Sequence, residues 1–150
     1  MAHTYTKLLS HVIFSTKNRD KLIPPYLLPD LHAYIGGVVK SVGGTALIVG
    51  GVEDHVHMLV MLPPRIALSD AMREVKAGSS RWMKEKLKTG GSFAWQTGFT
   101  AFSVSQSRAV ETIQYIATQA EHHRKKTFKD ELLEFLEGYG VEYDEKYLWD

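Results

Sequence analysis

The run His55-Val56-His57-Met58-Leu59-Val60-Met61-Leu62 lies between Gly50-Gly51 and Pro63-Pro64. Apart from its two histidines it is apolar on both alternating faces, which reads as a strand at the centre of a sheet, covered on both sides. The rest of the chain must supply partners for both edges of that strand and cover for both faces. Successive strand side chains point to opposite faces, so His55 and His57 share one, about 7 Å apart along the strand. That spacing suits two adjacent ligands on one metal ion. It also suits two imidazoles satisfied by hydrogen bonds in a partly polar sheet.

The covering elements follow from periodicity and punctuation. Tyr5 to Thr16 reads as a first strand, with Leu8, Val12 and Phe14 on one face and Leu9, His11 and Ile13 on the other. A charged loop, Lys17 to Lys21, leads to a helix over about 28–42, patterned by Leu28, Leu31, Ile35, Val38, Val39 and Val42. Gly36-Gly37 weakens this helix and is compatible with close backbone packing; Gly43-Gly44 ends it. Thr45 to Val49 reads as a second strand stopped by Gly50-Gly51, and His55 to Leu62 is the third. Ser69 is an N-cap candidate for a helix over about 70–87 with a buried stripe of Leu68, Met72, Val75, Ser79 and Trp82. Thr89 to Ser92 reads as a flexible turn, and Phe93 to Val104 as a fourth strand or bent pair broken near Gly98. Ser105 or Ser107 would cap a third long helix over about 108–125. A short helix near 129–137 stops at Gly138, and a tail docked by Tyr139, Tyr143, Tyr147 and Trp149 follows.

This order, β-α-β-β-α-β plus a helix, gives an α+β fold of the ferredoxin-like (RRM-like) kind, an antiparallel sheet with two crossover helices on one face. The added helix is then free to lie on the face carrying His55 and His57. The expectation is one domain across residues 1–150, with an acidic aromatic tail from about 130.

Without cysteine, thiolate metal sites and disulfides are excluded. With no secretory leader at the N-terminus and no apolar run of membrane-spanning length, a cytoplasmic protein is expected. The net charge of +1 hides an asymmetry. Residues 1–129 hold seventeen Lys and Arg against nine Asp and Glu, and residues 130–150 hold one against eight. A basic body fits a polyanion partner, and it fits equally a set of lysine-rich exposed helices. Arg73, Lys76, Arg81, Lys84, Arg124, Lys125 and Lys126 are the candidate backbone-phosphate contacts.

On the third helix, Val110, Ile113, Ala117 and Ala120 form the expected apolar stripe, with Ile116 beside it. Tyr115, Gln119 and His122 fall on another stripe, at i, i+4 and i+7. Tyr115 would thus sit at an apolar–polar boundary with a glutamine one turn on. His122-His123-Arg124-Lys125-Lys126 reads either as cations suited to a helix C-terminus or as a phosphate-binding cluster.

The combination of a His-x-His strand with a helix carrying Tyr115-Ile116-x-x-Gln119-x-x-His122-His123 resembles the small HUH single-tyrosine (TnpA-type) transposases of bacterial insertion sequences. His11 to Arg19, Gly51 to His57, Phe93-Ala94-Trp95-Gln96-x-Gly98-Phe99 and Phe102-Ser103-Val104-Ser105-x-Ser107 agree with it in order along nearly the whole chain. The resemblance implies that Tyr115 is a nucleophile forming a 5′-phosphotyrosine, and that His55, His57 and Gln119 hold a divalent metal, Mg²⁺ or Mn²⁺. It implies single-stranded DNA substrates with hairpins near the element ends. It also implies a homodimer in which one subunit's tyrosine serves the partner's histidine pair. Two other readings stay open on the residues alone: a non-catalytic single-stranded nucleic-acid-binding module, and a metal-dependent hydrolase using water. A domesticated relative acting on genomic hairpins is a further alternative within the resemblance.

Overall fold

In the computed structural model, which describes residues 3–88 and 92–149, four strands form one antiparallel sheet: β1 (Leu9–Ser15), β2 (Thr45–Val52), β3 (His55–Met61) and β4 (Thr100–Val104). Their order is β2-β3-β1-β4, so the histidine strand is interior, as its two-sided apolar pattern requires. Helices α1 (Leu28–Ser41) and α2 (Leu68–Leu87) cover one face. Val12, Phe14, Val56, Met58 and Val60 point to that face and meet Leu31, Ile35, Val39, Met72, Val75 and Met83 in the main core. The opposite face carries Leu9, His11, Ile13, His55, His57 and Leu59. Helices α3 (Ala109–Ala117), α4 (Gln119–His122) and α5 (Phe128–Gly138) lie there, followed by the short α6 (Glu145–Leu148). No helix among the described residues is long and apolar enough to cross a membrane.

Several local expectations give way to tertiary packing. The first strand begins at Leu9, leaving Tyr5 and Leu8 exposed. Gly50-Gly51 does not stop β2, which runs on to Val52 and turns through Glu53-Asp54 into β3. Helix α2 starts at Leu68, whose side chain packs on the core, so Ala67 rather than Ser69 occupies the N-cap. Its last buried residue is Met83; Trp82 is displaced to stack on Tyr34 at 5.7 Å. Gly36 and Gly37 receive no close backbone, since a Cβ at either would meet nothing within 4 Å. Only Thr100–Val104 of the expected fourth strand pairs as a strand, although Phe93 and Trp95 are buried in the main core. The flexible turn expected at Thr89 to Ser92 falls, for residues 89–91, outside the described residues.

The largest departure concerns the third helix. A 3-10 turn at Gln106–Arg108 precedes α3, so neither Ser105 nor Ser107 caps it. The helix then breaks at Thr118, whose Oγ1 donates to the Gln114 carbonyl at 3.0 Å and competes with the regular ladder. The expected apolar stripe is also rotated. Val110 is 66% exposed and Ala117 and Ala120 face solvent, while Ile116 and Gln119 are buried at 1%. Gly50 is the cause: a Cβ there would lie 2.6 Å from the Ile116 carbonyl oxygen, so only glycine lets α3 settle on this side. In the tail, Tyr139 stacks on Phe102 at 4.5 Å and Trp149 lies under Arg19 and Lys129, whereas Tyr143 and Tyr147 stay exposed.

Candidate active site

The sheet register builds the site. β2 sets Gly50 opposite His57 and Val52 opposite His55, and β1 sets Ile13 opposite His57. Both histidines are fully buried, and each has one ring nitrogen occupied by a neighbour. His55 Nδ1 hydrogen-bonds the Asp54 carboxylate at 2.7 Å. His57 Nδ1 pairs with His11 Nε2 at 2.7 Å. The two Nε2 atoms therefore face a common point from rings 5.1 Å apart.

Two further segments reach that point. Past the Thr118 break, Gln119 places its Oε1 3.0 Å from His55 Nε2 and 3.0 Å from His123 Nε2. Its Nε2 donates to the Tyr115 carbonyl at 3.3 Å, which fixes which end of the amide faces the histidines. Thr127 caps α5 through the Asp130 amide, and Phe128, Leu132 and Leu136 seat that helix against Ile13 and Phe102. On the same face Glu131, 2% exposed, accepts from His57 Nε2 through Oε1 at 2.8 Å. His123 Nε2 is 3.4 Å and His55 Nε2 3.8 Å from that oxygen. The other oxygen accepts the hydroxyl of Tyr115. Ligand atoms of His55, His57, His123 and Glu131 all lie within 4.8 Å of one another.

Burial governs the electrostatics. It lowers His57 to about 4 against the raising pull of Glu131, and lowers His11 to about 3, so both rings are neutral near pH 7. Burial would raise Glu131, but hydrogen bonds from His123 and His57 outweigh it and hold the carboxyl ionised, well below its usual range. Asp54 is likewise lowered, its hydrogen bond with His55 overcoming burial. Burial would lower His123, yet contact with Glu131 raises it. Burial and the Glu131 carboxylate together push the Tyr115 phenol well above its ordinary value.

Of the residues singled out from sequence, Tyr115, His55, His57 and Gln119 converge here within one chain, with Tyr115 and His57 rings 5.9 Å apart. His122 stacks on Tyr115 at 4.5 Å, while His123 turns into the cluster rather than outward. Lys125 and Lys126 line a cavity of 360 Å³ with Tyr115, His122 and Glu131; Lys126 also pairs with Glu134. Arg124 borders a separate hollow beside Lys21 and Asp54. The α2 cations lie on the far face of the sheet. Arg73 and Lys84 rim a groove of 520 Å³ there, Arg73 pairing with Asp70, and Arg81 is exposed. Lys76 is no free cation for phosphate: it donates to the Gln96 and Gly98 carbonyls at 2.5 and 2.7 Å, and burial lowers it to about 8.

Sequence reasoning missed His11, Asp54 and Glu131 as site residues. His11 left a trace, a polar residue on the apolar face of β1. Glu131 sits at helical spacing inside a hydrophobic stripe, but the surrounding acid-rich tail hides it.

Comparison with known proteins bears on the family and the fold. Residues 4–119 match the family described as transposase IS200 like. The chain is 26% identical over 116 residues to the ISDra2 transposase TnpA of Deinococcus radiodurans, covering 73% of this chain and 81% of that one. Among solved structures it is similar in fold to a candidate transposase from Deinococcus radiodurans R1, at TM-score 0.62 and 22% identity, over 77% of this chain and 94% of the other. It is also similar to a REP-associated tyrosine transposase bound to a REP hairpin, at TM-score 0.53 and 17% identity, over 77% and 68%.

Proposed function

The chain belongs to the IS200-like transposase family, and from that premise we propose that it cuts and rejoins single-stranded DNA at insertion-sequence ends through a 5′-phosphotyrosine on Tyr115. The observation that carries this reading is that Glu131 joins the Tyr115 hydroxyl to His57 Nε2, beside His55 Nε2 and Gln119 Oε1. In the proposed step Tyr115 Oη attacks phosphorus and the P–O3′ bond breaks. The phenol proton leaves Tyr115, and the departing 3′ oxygen takes up a proton as a free 3′-OH. In the reverse step a 3′-OH attacks the phosphotyrosine, so rejoining needs no outside energy source.

The residues fit a divalent ion. His55, His57 and Gln119 present two imidazole nitrogens and an amide oxygen, and Asp54 and His11 hold the rings in orientation. A bound dication would supply positive charge where phosphate oxygens and a developing phenolate need it. The protein alone works against ionising Tyr115, because Glu131 is a carboxylate at its hydroxyl. His122, Lys125 and Lys126 are the proposed phosphate contacts near the nucleophile, Arg124 one at the neighbouring hollow, and Arg73, Arg81 and Lys84 a more distant set. Hairpin-bearing single strands are the proposed substrate class, since one relative of the same fold was solved on a hairpin. A homodimer belongs to the reading, with exposed Leu47 and Val110 as apolar surface for it. In that dimer one subunit's tyrosine would serve the partner's histidine pair, exchanging for the arrangement within a single chain, where the Tyr115 and His57 rings lie 5.9 Å apart.

The test incubates end-labelled single strands from both flanks of the gene with Mg²⁺ or Mn²⁺ and looks for a detergent-resistant protein–DNA adduct. Wild type should form it, and Tyr115→Phe and His57→Ala should not. Tight binding with no adduct under any metal would instead establish a binding module. An adduct persisting in Tyr115→Phe would move the nucleophile elsewhere.

A further inference from the structure

His55 and Gln119 face each other in a way that hydrogen bonding alone does not satisfy. His55 Nδ1 meets the Asp54 carboxylate, an acceptor, and so carries the ring proton; its Nε2 is then a lone pair. That lone pair lies 3.0 Å from Gln119 Oε1, another acceptor, whose amide is held in place by the bond from its Nε2 to the Tyr115 carbonyl. Glu131 Oε1, a third acceptor, is 3.8 Å from the same nitrogen. A second proton on His55 would relieve one of these contacts by burying a charge in a fully enclosed ring. A cation at the centre would relieve all of them. The three imidazole nitrogens lie 2.8, 3.4 and 3.8 Å from Glu131 Oε1, around the roughly 3.4 Å between ligands of an ion with metal–ligand bonds of about 2.1 Å, and the whole set spans no more than 4.8 Å.

We propose that His123 and Glu131 are ligands of the same centre as His55, His57 and Gln119, and that its three imidazoles select a first-row transition ion of the Mn²⁺ or Zn²⁺ kind over Mg²⁺. The inference rests on the metal-dependent reading above and extends it to two residues outside the His-x-His strand. Imidazole favours transition ions, whereas Mg²⁺ prefers oxygen ligands and keeps its waters. Glu131 would bind through Oε1 and keep the Tyr115 hydroxyl on its other oxygen, linking the nucleophile to the centre through one side chain.

Mn²⁺ binding to the full chain, followed by EPR, tests this without reference to activity. Wild type should bind Mn²⁺, resist displacement by a hundredfold excess of Mg²⁺, and show three coupled imidazole nitrogens in pulsed EPR. His123→Asn should show two, and Glu131→Gln should weaken Mn²⁺ at least tenfold. Wild-type Mn²⁺ coupled to only two imidazoles, with affinity unchanged in both variants, would overturn this proposal and leave the His55–His57–Gln119 site standing. Ready exchange with equimolar Mg²⁺ would overturn the selectivity. If wild type binds no divalent ion, the metal-dependent reading itself fails. The imidazole count on wild type keeps the proposal open to refutation even if Glu131→Gln does not fold.

Discussion

At the scale of single residues, the site depends on side chains that stand behind its two strand histidines. Asp54 and His11 each occupy the ring nitrogen that would otherwise let His55 or His57 turn. Asp54→Asn and His11→Phe should therefore weaken Mn²⁺ by about 10- to 100-fold, as loss of such orienting partners does elsewhere. Calorimetric titration measures this, with an unchanged far-UV spectrum showing the fold intact. A histidine outside the site adds its own share of acid sensitivity. His32 is largely enclosed, its Nε2 has no partner among the described residues, and burial lowers it to about 4. Its folded value lies below its ordinary 6.5, so the unfolded chain binds the extra proton first. Stability is then complete above about pH 6.5 and falls as pH drops towards 4. His32→Gln should flatten this limb by roughly 2 kcal/mol, read from urea midpoints across that range.

At the scale of elements, the placement of Tyr115 depends on how closely α3 approaches β2. A methyl at Gly50 would collide with the Ile116 carbonyl, a backbone atom unable to swing aside. Gly50→Ala should cost about 1–3 kcal/mol and lower adduct formation as α3 is pushed off the sheet. Gly36→Ala should do the opposite, adding about 0.5–1 kcal/mol because its site in α1 is open. Thermal melts of the two variants side by side check both signs. These positions also show what sequence patterning conveys and what it does not. The two-sided apolar run of β3 identified a central strand, the two-residue repeat put both histidines on one face, and the element order identified the sheet and the side left for the added helix. Periodicity misplaced the buried face of α3, since a contact with a glycine in another strand decides it. It passed over Glu131 because that carboxylate meets His57 across 74 residues, and helical spacing carries no information about such a partner.

At the scale of the whole molecule, the basic surface divides between two sides of the sheet, and not every cation in it is free. DNA affinity that depends on counterion release should register the difference. Arg124→Ala or Lys125→Ala should each reduce the salt slope of single-strand binding by about 0.7. Lys76→Met should leave the slope unchanged and lower the melting temperature, since that ammonium is spent on two carbonyls. Fluorescence anisotropy between 50 and 200 mM salt, a range in which such slopes are well resolved, separates the two behaviours.

The strict alternation of β3 also bears on how this chain can change by descent. His55 and His57 face the site only because an even step separates them, and each is paired in register with Val52 and Gly50 across the hairpin. Inserting or deleting one residue in 55–60 would turn an imidazole into the helix-covered core and bring Val56 or Met58 out in its place. Gains and losses in the loop at 63–67, ahead of α2, carry no such penalty. Lineages that keep the activity should therefore vary in length in that loop and hold the distance from the hairpin turn to Val60 constant.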